Sequence, residues 1–153
     1  MYKSLSITVV IPCLNEEQGI ERVLRAMPSF VDEVIVVDNG STDRTADVAQ
    51  AFGAKVIRED VRGYGRAYKR GFAVATGDVI VTLDADNTQP PEIIPDMLQA
   101  LDSGLDVVVA SRFQPGAEVH GVPAMRRLYS QVMSLLFRTA FPIRGVRDYS
   151  CGF

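Results

Sequence analysis

Hydrophobic residues fall along the chain in short, continuous runs separated by longer mixed stretches. β-Branched runs at residues 6–12, 33–38, 54–58, 79–84 and 107–111 are each too short for a stable helix. They are continuous enough to be strands buried on both faces. Helical signals lie between them. Asn15, with Gln18 three residues later, reads as a capping box opening a helix to Met27. Thr42 or Asp43 caps a second helix, which Gly53 ends; a third runs from about Gly65 to Ala75 and stops at Gly77. Pro90 and Pro91 pre-set the first turn of a fourth helix, to about Leu101, and residues 124–141 form a fifth. The order β-α-β-α-β-α-β-α-β predicts an α/β fold: a mainly parallel, Rossmann-like sheet with helices on both faces.

Such a sheet takes its ligands at the carboxyl ends of the strands, where helix N-termini point into a crevice. Polar or acidic residues follow three of the predicted strands directly: Asn15 and Glu16, Asp38, and the pair Asp84 and Asp86.

Composition narrows the class. The 153 residues are 47% hydrophobic and 23% charged, which excludes a disordered tail, a collagen-like repeat and a disulfide-stapled miniprotein. Two cysteines far apart, Cys13 and Cys151, and strand-like alternation directly after Lys3 in place of a signal peptide predict reduced thiols in the cytoplasm. No apolar run reaches the roughly 18 residues of a membrane span. The net charge of −3 is unevenly spread. Residues 1–111 hold 10 basic and 17 acidic side chains, residues 112–153 hold 6 and 2, and all six of those cations are arginine. Arginine suits phosphate because its planar fork binds two oxygens at once; solvated surface charge is the competing reading.

Val81-Thr82-Leu83-Asp84-Ala85-Asp86 is the strongest chemical signal. Alternate residues of an extended chain share a face, so both carboxylates can approach one cation, and hard oxygen donors suit Mg²⁺ or Mn²⁺. The competing reading is a turn in which both acids only cap the next helix. Asp38 ends its strand in the same manner and is a candidate acceptor for a nucleobase or ribose, whereas Asp43 reads as a helix cap. Gly63-Tyr64-Gly65 is not a dinucleotide fingerprint, because it does not follow the first strand and Tyr68 replaces the third glycine. A phosphatase-type reading of Asp84-Ala85-Asp86-Asn87-Thr88 fails on placement after the fourth strand and on the lack of any lysine after Lys69. His120, the only histidine, lies in a stretch with loop composition.

Together, residues 10–17 (VIPCLNEE), 37–43 (VDNGSTD), 63–68 (GYGRAY), 75–78 (ATGD), 84–86 (DAD), 90–92 (PPE), 111–113 (SRF) and 148–153 (DYSCGF) resemble the family 2 glycosyltransferases of the GT-A fold. Within these they are most similar to the dolichyl- or polyprenyl-phosphate mannose and glucose synthases. The resemblance implies a nucleotide diphosphate sugar, of GDP-mannose or UDP-glucose type, held by Pro12, Leu14, Asn15, Glu16, Val36 and Asp38. It implies Mg²⁺ or Mn²⁺ carried at Asp84, Ala85 and Asp86, with Asp86 catalytic. Thr88 stands where a third ligand is usual, and Gln89 is one residue late.

Transfer would invert the anomeric carbon. A phosphate acceptor needs no general base, being ionised near neutral pH, and no Glu-Asp pair follows the fifth run. Arg112, Arg126 and Ser130 are the candidate clamp for an acceptor phosphate, Arg112 also catalytic; Arg126 and Ser130, four apart, share a helix face. Apolar residues of the fifth helix either pack on the sheet or rest on a membrane. Polyprenyl phosphate as acceptor and peripheral contact at the cytoplasmic face of a membrane follow from the resemblance, and nucleic acid is not expected. The chain reads as one catalytic domain, 1–111 for the nucleotide sugar and 112–153 for the acceptor side, either a fragment or a short member. Two alternatives stand beside it: a saccharide hydroxyl acceptor with Asp148 as base, and a nucleotide-sugar-binding module without turnover.

Overall fold

The computed structural model describes residues 2–111 and 124–143, apart from the side chains of Ala124, Arg126 and Arg127. It divides into two units, Met1–Asp96 and Met97–Phe153.

The first unit is built on four parallel strands: β1 (Ile7–Cys13), β2 (Glu33–Asp38), β3 (Lys55–Arg58) and β4 (Val79–Thr82), in the order β3-β2-β1-β4. Every residue of β1 is buried, as an apolar strand paired on both sides requires. Thr8, Val9 and Val10 pair with Glu33, Val34 and Ile35 on one side and with Ile80, Val81 and Thr82 on the other. Helices α1 (Glu17–Arg25), α2 (Thr45–Ala51) and α3 (Tyr64–Phe72) make the crossovers. Helix α1 lays Ile20, Val23 and Leu24 into the core at the one-turn spacing of an amphipathic helix. Helix α3 lies against β1 and β2 so closely that a Cβ on Gly71 would stand 2.3 Å from the Val10 Cγ1 methyl. After β4 a turn leads into Pro91, which opens a short 3-10 turn, and then into α4 (Ile94–Leu101), with Ile94 and Leu98 buried.

Two expectations are corrected. Residues 107–111 form no strand, and Val107 is 72% exposed. A β-branched run becomes a strand only where a neighbouring edge satisfies its backbone groups, and this one has no ladder among the described residues. The capping box at Asn15 does not form either. Asn15 adopts a left-handed backbone (φ 57°), and the first turn of α1, which starts two residues later, carries no cap from its own segment.

In the second unit, α5 (Ala124–Ala140) buries Ser130 and Ser134. Its large apolar residues, among them Leu128, Val132, Leu135, Leu136 and Phe137, are exposed, as is Phe141 just beyond it. Arg112 and His120 lie outside the described residues.

Candidate active site

Because all four strands are parallel, the segments leaving β1, β2, β3 and β4 emerge on one edge of the sheet. Cys13 pairs with Asp38, and the Leu83 N–H donates to the Val10 carbonyl at 3.2 Å, so the ends of β2 and β4 flank that of β1.

The loops after β1 and β2 are stitched together. Asn15 N–H donates to Ser41 Oγ (3.0 Å), Glu16 N–H to Thr45 Oγ1 (2.9 Å) and Glu17 N–H to Asp43 Oδ2 (3.1 Å). In return Asn15 Oδ1 accepts from Thr42 N–H (2.8 Å), and Glu17 Oε2 from Arg44 N–H (3.3 Å). Backbone donors at the start of α1 are thus capped by the neighbouring loop, which is why the local capping box is dispensable. Asp43 also accepts from the backbone N–H of Thr45 (3.0 Å), the first residue of α2, but the N-cap position is Arg44 and neither Thr42 nor Asp43 occupies it. Asn15, Glu16, Glu17, Gln18, Gly19 and Asp43 line an open cleft of about 400 Å³.

Asp38 is only 5% exposed, and its Oδ1 accepts from Ser41 N–H at 2.9 Å. One of its oxygens is therefore engaged in its own turn. Asn39 beside it is buried and holds the loop after β3. Its Nδ2 donates to the carbonyls of Glu59 (2.9 Å) and Val61 (3.0 Å), while its Oδ1 accepts from Gly63 N–H (2.8 Å). Val36 is fully buried in β2 and Pro12 is buried in β1, whereas Leu14 is exposed after β1.

At the end of β4 the chain turns through Asn87, again left-handed at φ 61°. Asp84 is half-buried. Its Oδ2 accepts from Gln89 Nε2 at 3.2 Å, its backbone N–H donates to Gln89 Oε1 at 3.0 Å, and its Oδ1 accepts from the Tyr64 hydroxyl. Asp86 is exposed, and its Oδ1 accepts from both the N–H (2.9 Å) and the hydroxyl (2.7 Å) of Thr88. Ala85 between them is buried beneath α1: a Cβ on Gly19 would lie 2.3 Å from the Ala85 carbonyl oxygen, with Glu16 Oε2 at 3.0 Å. Only glycine permits that approach.

Glu16 lies within electrostatic reach of Asp86, Asp43 and Asp84, and Asp84 within reach of Asp86. Burial, then the Asp86 charge, raises the Asp84 carboxyl above the usual range, against the lowering effect of the Tyr64 bond. Burial raises Glu16, followed by the charges of Asp86, Asp43 and Asp84. Cys13, buried below them, is pushed up by burial and by Asp38, Glu16 and Asp43, so its thiol stays protonated and unreactive.

Among the described residues no three His, Cys, Asp or Glu side chains are grouped closely enough to enclose a metal by themselves. Asp84 and Asp86 with the Thr88 hydroxyl, whose oxygen keeps its lone pairs while donating to Asp86, form an open set of hard donors in a field of like charge. Oxygen donors of this kind fit Mg²⁺ or Mn²⁺. Of the predicted acceptor clamp, Ser130 is buried on α5, the Arg126 side chain is not described and Arg112 lies outside the described residues. No local sequence signal marks Tyr64, Asn39 or Gly19 for a role. Tyr64 and Asn39 lie in segments whose motifs stand out, but their bonds span 20 or more residues and leave no trace in local spacing.

A family model described as Glycosyl transferase family 2 matches residues 8–151. A dolichol-phosphate mannosyltransferase of Pyrococcus furiosus is 36% identical over 159 residues, covering 97% of this chain and 45% of the relative. A dolichyl-phosphate hexose transferase of Haloferax volcanii is 39% identical over 124 residues, covering 79% and 53%. Among solved structures, glucosyl-3-phosphoglycerate synthase of Mycobacterium tuberculosis, in complex with Mn²⁺, UDP-glucose and phosphoglyceric acid, superposes with a TM-score of 0.59 at 38% identity, covering 66% of this chain and 41% of that one. The chain thus spans about half the length of the curated relatives it matches. With a parallel sheet, an acidic crevice at its carboxyl edge and a match over nearly its whole length, the chain belongs to glycosyl transferase family 2.

Proposed function

We propose that the chain forms the nucleotide-sugar half of an inverting glycosyltransferase that moves a hexose from a nucleotide diphosphate onto a polyprenyl or dolichyl phosphate. The observation that carries this reading is the placement of Asp38, Glu16, Asp84 and Asp86 at or just after strand ends on one sheet edge, where Glu16 feels the charges of Asp86 and Asp84, and Asp84 that of Asp86. The names of the archaeal relatives support the lipid phosphate, and the Mn²⁺ and UDP-glucose of the solved relative support the metal and the donor class.

Under this reading Asp38 and the loop of residues 14–16 hold the nucleoside, and Asp84, Asp86 and Thr88 hold Mg²⁺ or Mn²⁺. The cation supplies charge neutralisation of the diphosphate leaving group, whose negative charge grows in the transition state. The chain's own work is orientation: Gln89 and Tyr64 fix Asp84, Thr88 fixes Asp86, and the stitched loops fix the crevice wall. A phosphate monoester acceptor arrives ionised, so no side chain need take its proton. We assign its recognition to Arg112, Arg126 and Ser130. The exposed apolar residues of α5 supply a surface for a lipid headgroup region, and none of the described helices is long and apolar enough to cross a membrane.

Transfer of radiolabelled sugar from GDP-mannose and from UDP-glucose, offered polyprenyl phosphate, 3-phosphoglycerate or a free saccharide, tests the assignment. Label in the lipid phosphate is expected; label confined to the other acceptors rejects the lipid, and nucleotide binding without transfer to any acceptor rejects turnover.

A further inference from the structure

We propose that Tyr64 is a positioning residue for Asp84, a phenol that fixes the carboxylate from the side opposite Gln89 and ties it to the nucleoside side of the crevice. The inference rests on the proposed metal-assisted reading of the site. Asp84 is bracketed: Gln89 Nε2 donates to Oδ2 at 3.2 Å, while the Tyr64 hydroxyl donates to Oδ1. A carboxylate with a donor on each oxygen cannot spin about its Cβ–Cγ bond, yet its lone pairs are not exhausted and remain available to a cation. Outer donors that orient a ligand carboxylate in this way contribute to metal affinity without touching the ion.

Tyr64 itself is held from the other side of the crevice. It opens α3 directly after Gly63, whose N–H is bonded to Asn39 Oδ1 (2.8 Å), and Asn39 follows Asp38. Its ring stands edge-on to Tyr68 with centroids 4.9 Å apart, the two hydroxyls are 3.2 Å apart, and Tyr68 stacks on Phe72. A continuous path thus runs from Asp38 through Asn39, the turn at Gly63 and Tyr64 to Asp84, joining the ends of β2 and β4 around β1. Tyr64 is 54% exposed, so its hydroxyl is not part of the packed core.

The test compares the wild-type chain with Tyr64→Phe, with Asp86→Asn as reference. Mn²⁺ binding is followed by the loss of free-ion electron paramagnetic resonance in the presence of UDP or GDP. A urea midpoint is taken for each variant. Tyrosine emission, legible because the chain has five tyrosines and no tryptophan, is recorded during the titration. For Tyr64→Phe the expected result is Mn²⁺ affinity about tenfold or more weaker, an unchanged urea midpoint, and loss of the emission change that Mn²⁺ produces in the wild type as it draws charge from the carboxylate facing the phenol. Unchanged affinity in Tyr64→Phe, with Asp86→Asn impaired, overturns the role of Tyr64 and leaves the metal site standing. A fall in affinity matched by a fall in the urea midpoint also overturns it, as a structural effect. Failure of the wild type to bind Mn²⁺ with either nucleotide overturns both the role and the reading beneath it.

Discussion

Both ends of the Gln89 amide close on Asp84: Nε2 donates to the carboxylate Oδ2 and Oε1 accepts from the Asp84 backbone N–H. Gln89 is buried, so this pairing is shielded from water. Gln89→Leu keeps the bulk and removes both bonds. It should weaken Mn²⁺-dependent nucleotide binding about 10- to 100-fold, measured by calorimetry with and without the metal, and leave metal-independent binding little changed.

Gly19 is the contact point between α1 and the Asp84–Asp86 turn, with the Ala85 carbonyl oxygen 2.3 Å from the place a Cβ would occupy. That neighbour is backbone and cannot rotate away. Gly19→Ala should therefore destabilise the chain by about 1–3 kcal/mol, the usual cost of overpacking a tight contact, and weaken Mn²⁺ binding by displacing the turn. Urea denaturation and a Mn²⁺ titration on the same preparation check both effects.

Asn39 makes three hydrogen bonds to the backbone of residues 59–63 from a buried position. Asn39→Ala leaves two carbonyls and one N–H without their partner and should cost about 1–3 kcal/mol. Amide hydrogen exchange at Gly63 should accelerate more than exchange in β1, whose ladder is untouched.

Acid stability should depend on carboxylates remote from the crevice as well as within it. Backbone and hydroxyl bonds from Ser6 (2.9 and 2.7 Å) hold Asp78 below the usual carboxylate range, and the Thr45 hydroxyl and N–H do the same for Asp43. A lowered folded value means that the stabilisation is present above the ordinary value of 3.8 and is lost as pH falls through the folded one. Asp84 and Glu16, raised in the fold, act in the opposite sense: they favour the folded chain at low pH and lose that contribution as pH rises through their folded values. In the metal-free chain the two sets therefore oppose each other as pH falls: protonation of Asp78 and Asp43 weakens the fold, while protonation of Asp84 and Glu16 favours it. Asp78→Asn should flatten the acid limb of a thermal-melting profile against pH.

Much of this was legible from the sequence because parallel β-α units place strand ends on one edge whatever the details of packing. Asp38, Asp84 and Asp86 end apolar runs, so the topology alone puts the segments that carry them on the same sheet edge. The capping box misled because Asn15 had two uses for its side chain, and the bond to Thr42, 27 residues away, won over the local one. Residues 107–111 have strand composition, but a strand exists only beside a partner, and composition carries no record of partners. Tyr64 and Gln89 show the same limit at the site. Gln89 stands out through its proximity to the acidic pair, whereas the Tyr64 contact with Asp84 arises from how α3 is laid across the sheet.

The central claim is that Asp84 and Asp86 hold a divalent cation against a nucleotide diphosphate. Calorimetry of UDP and GDP binding to wild type and Asp86→Asn, each with Mn²⁺ and with chelator, tests it most directly, since asparagine retains the oxygen that accepts from Thr88 and so preserves the turn. The account predicts binding of at least one nucleotide that needs Mn²⁺ in the wild type and is lost in Asp86→Asn at unchanged thermal stability. Equal nucleotide affinity with and without Mn²⁺, or full Mn²⁺-dependent affinity in Asp86→Asn, would contradict it.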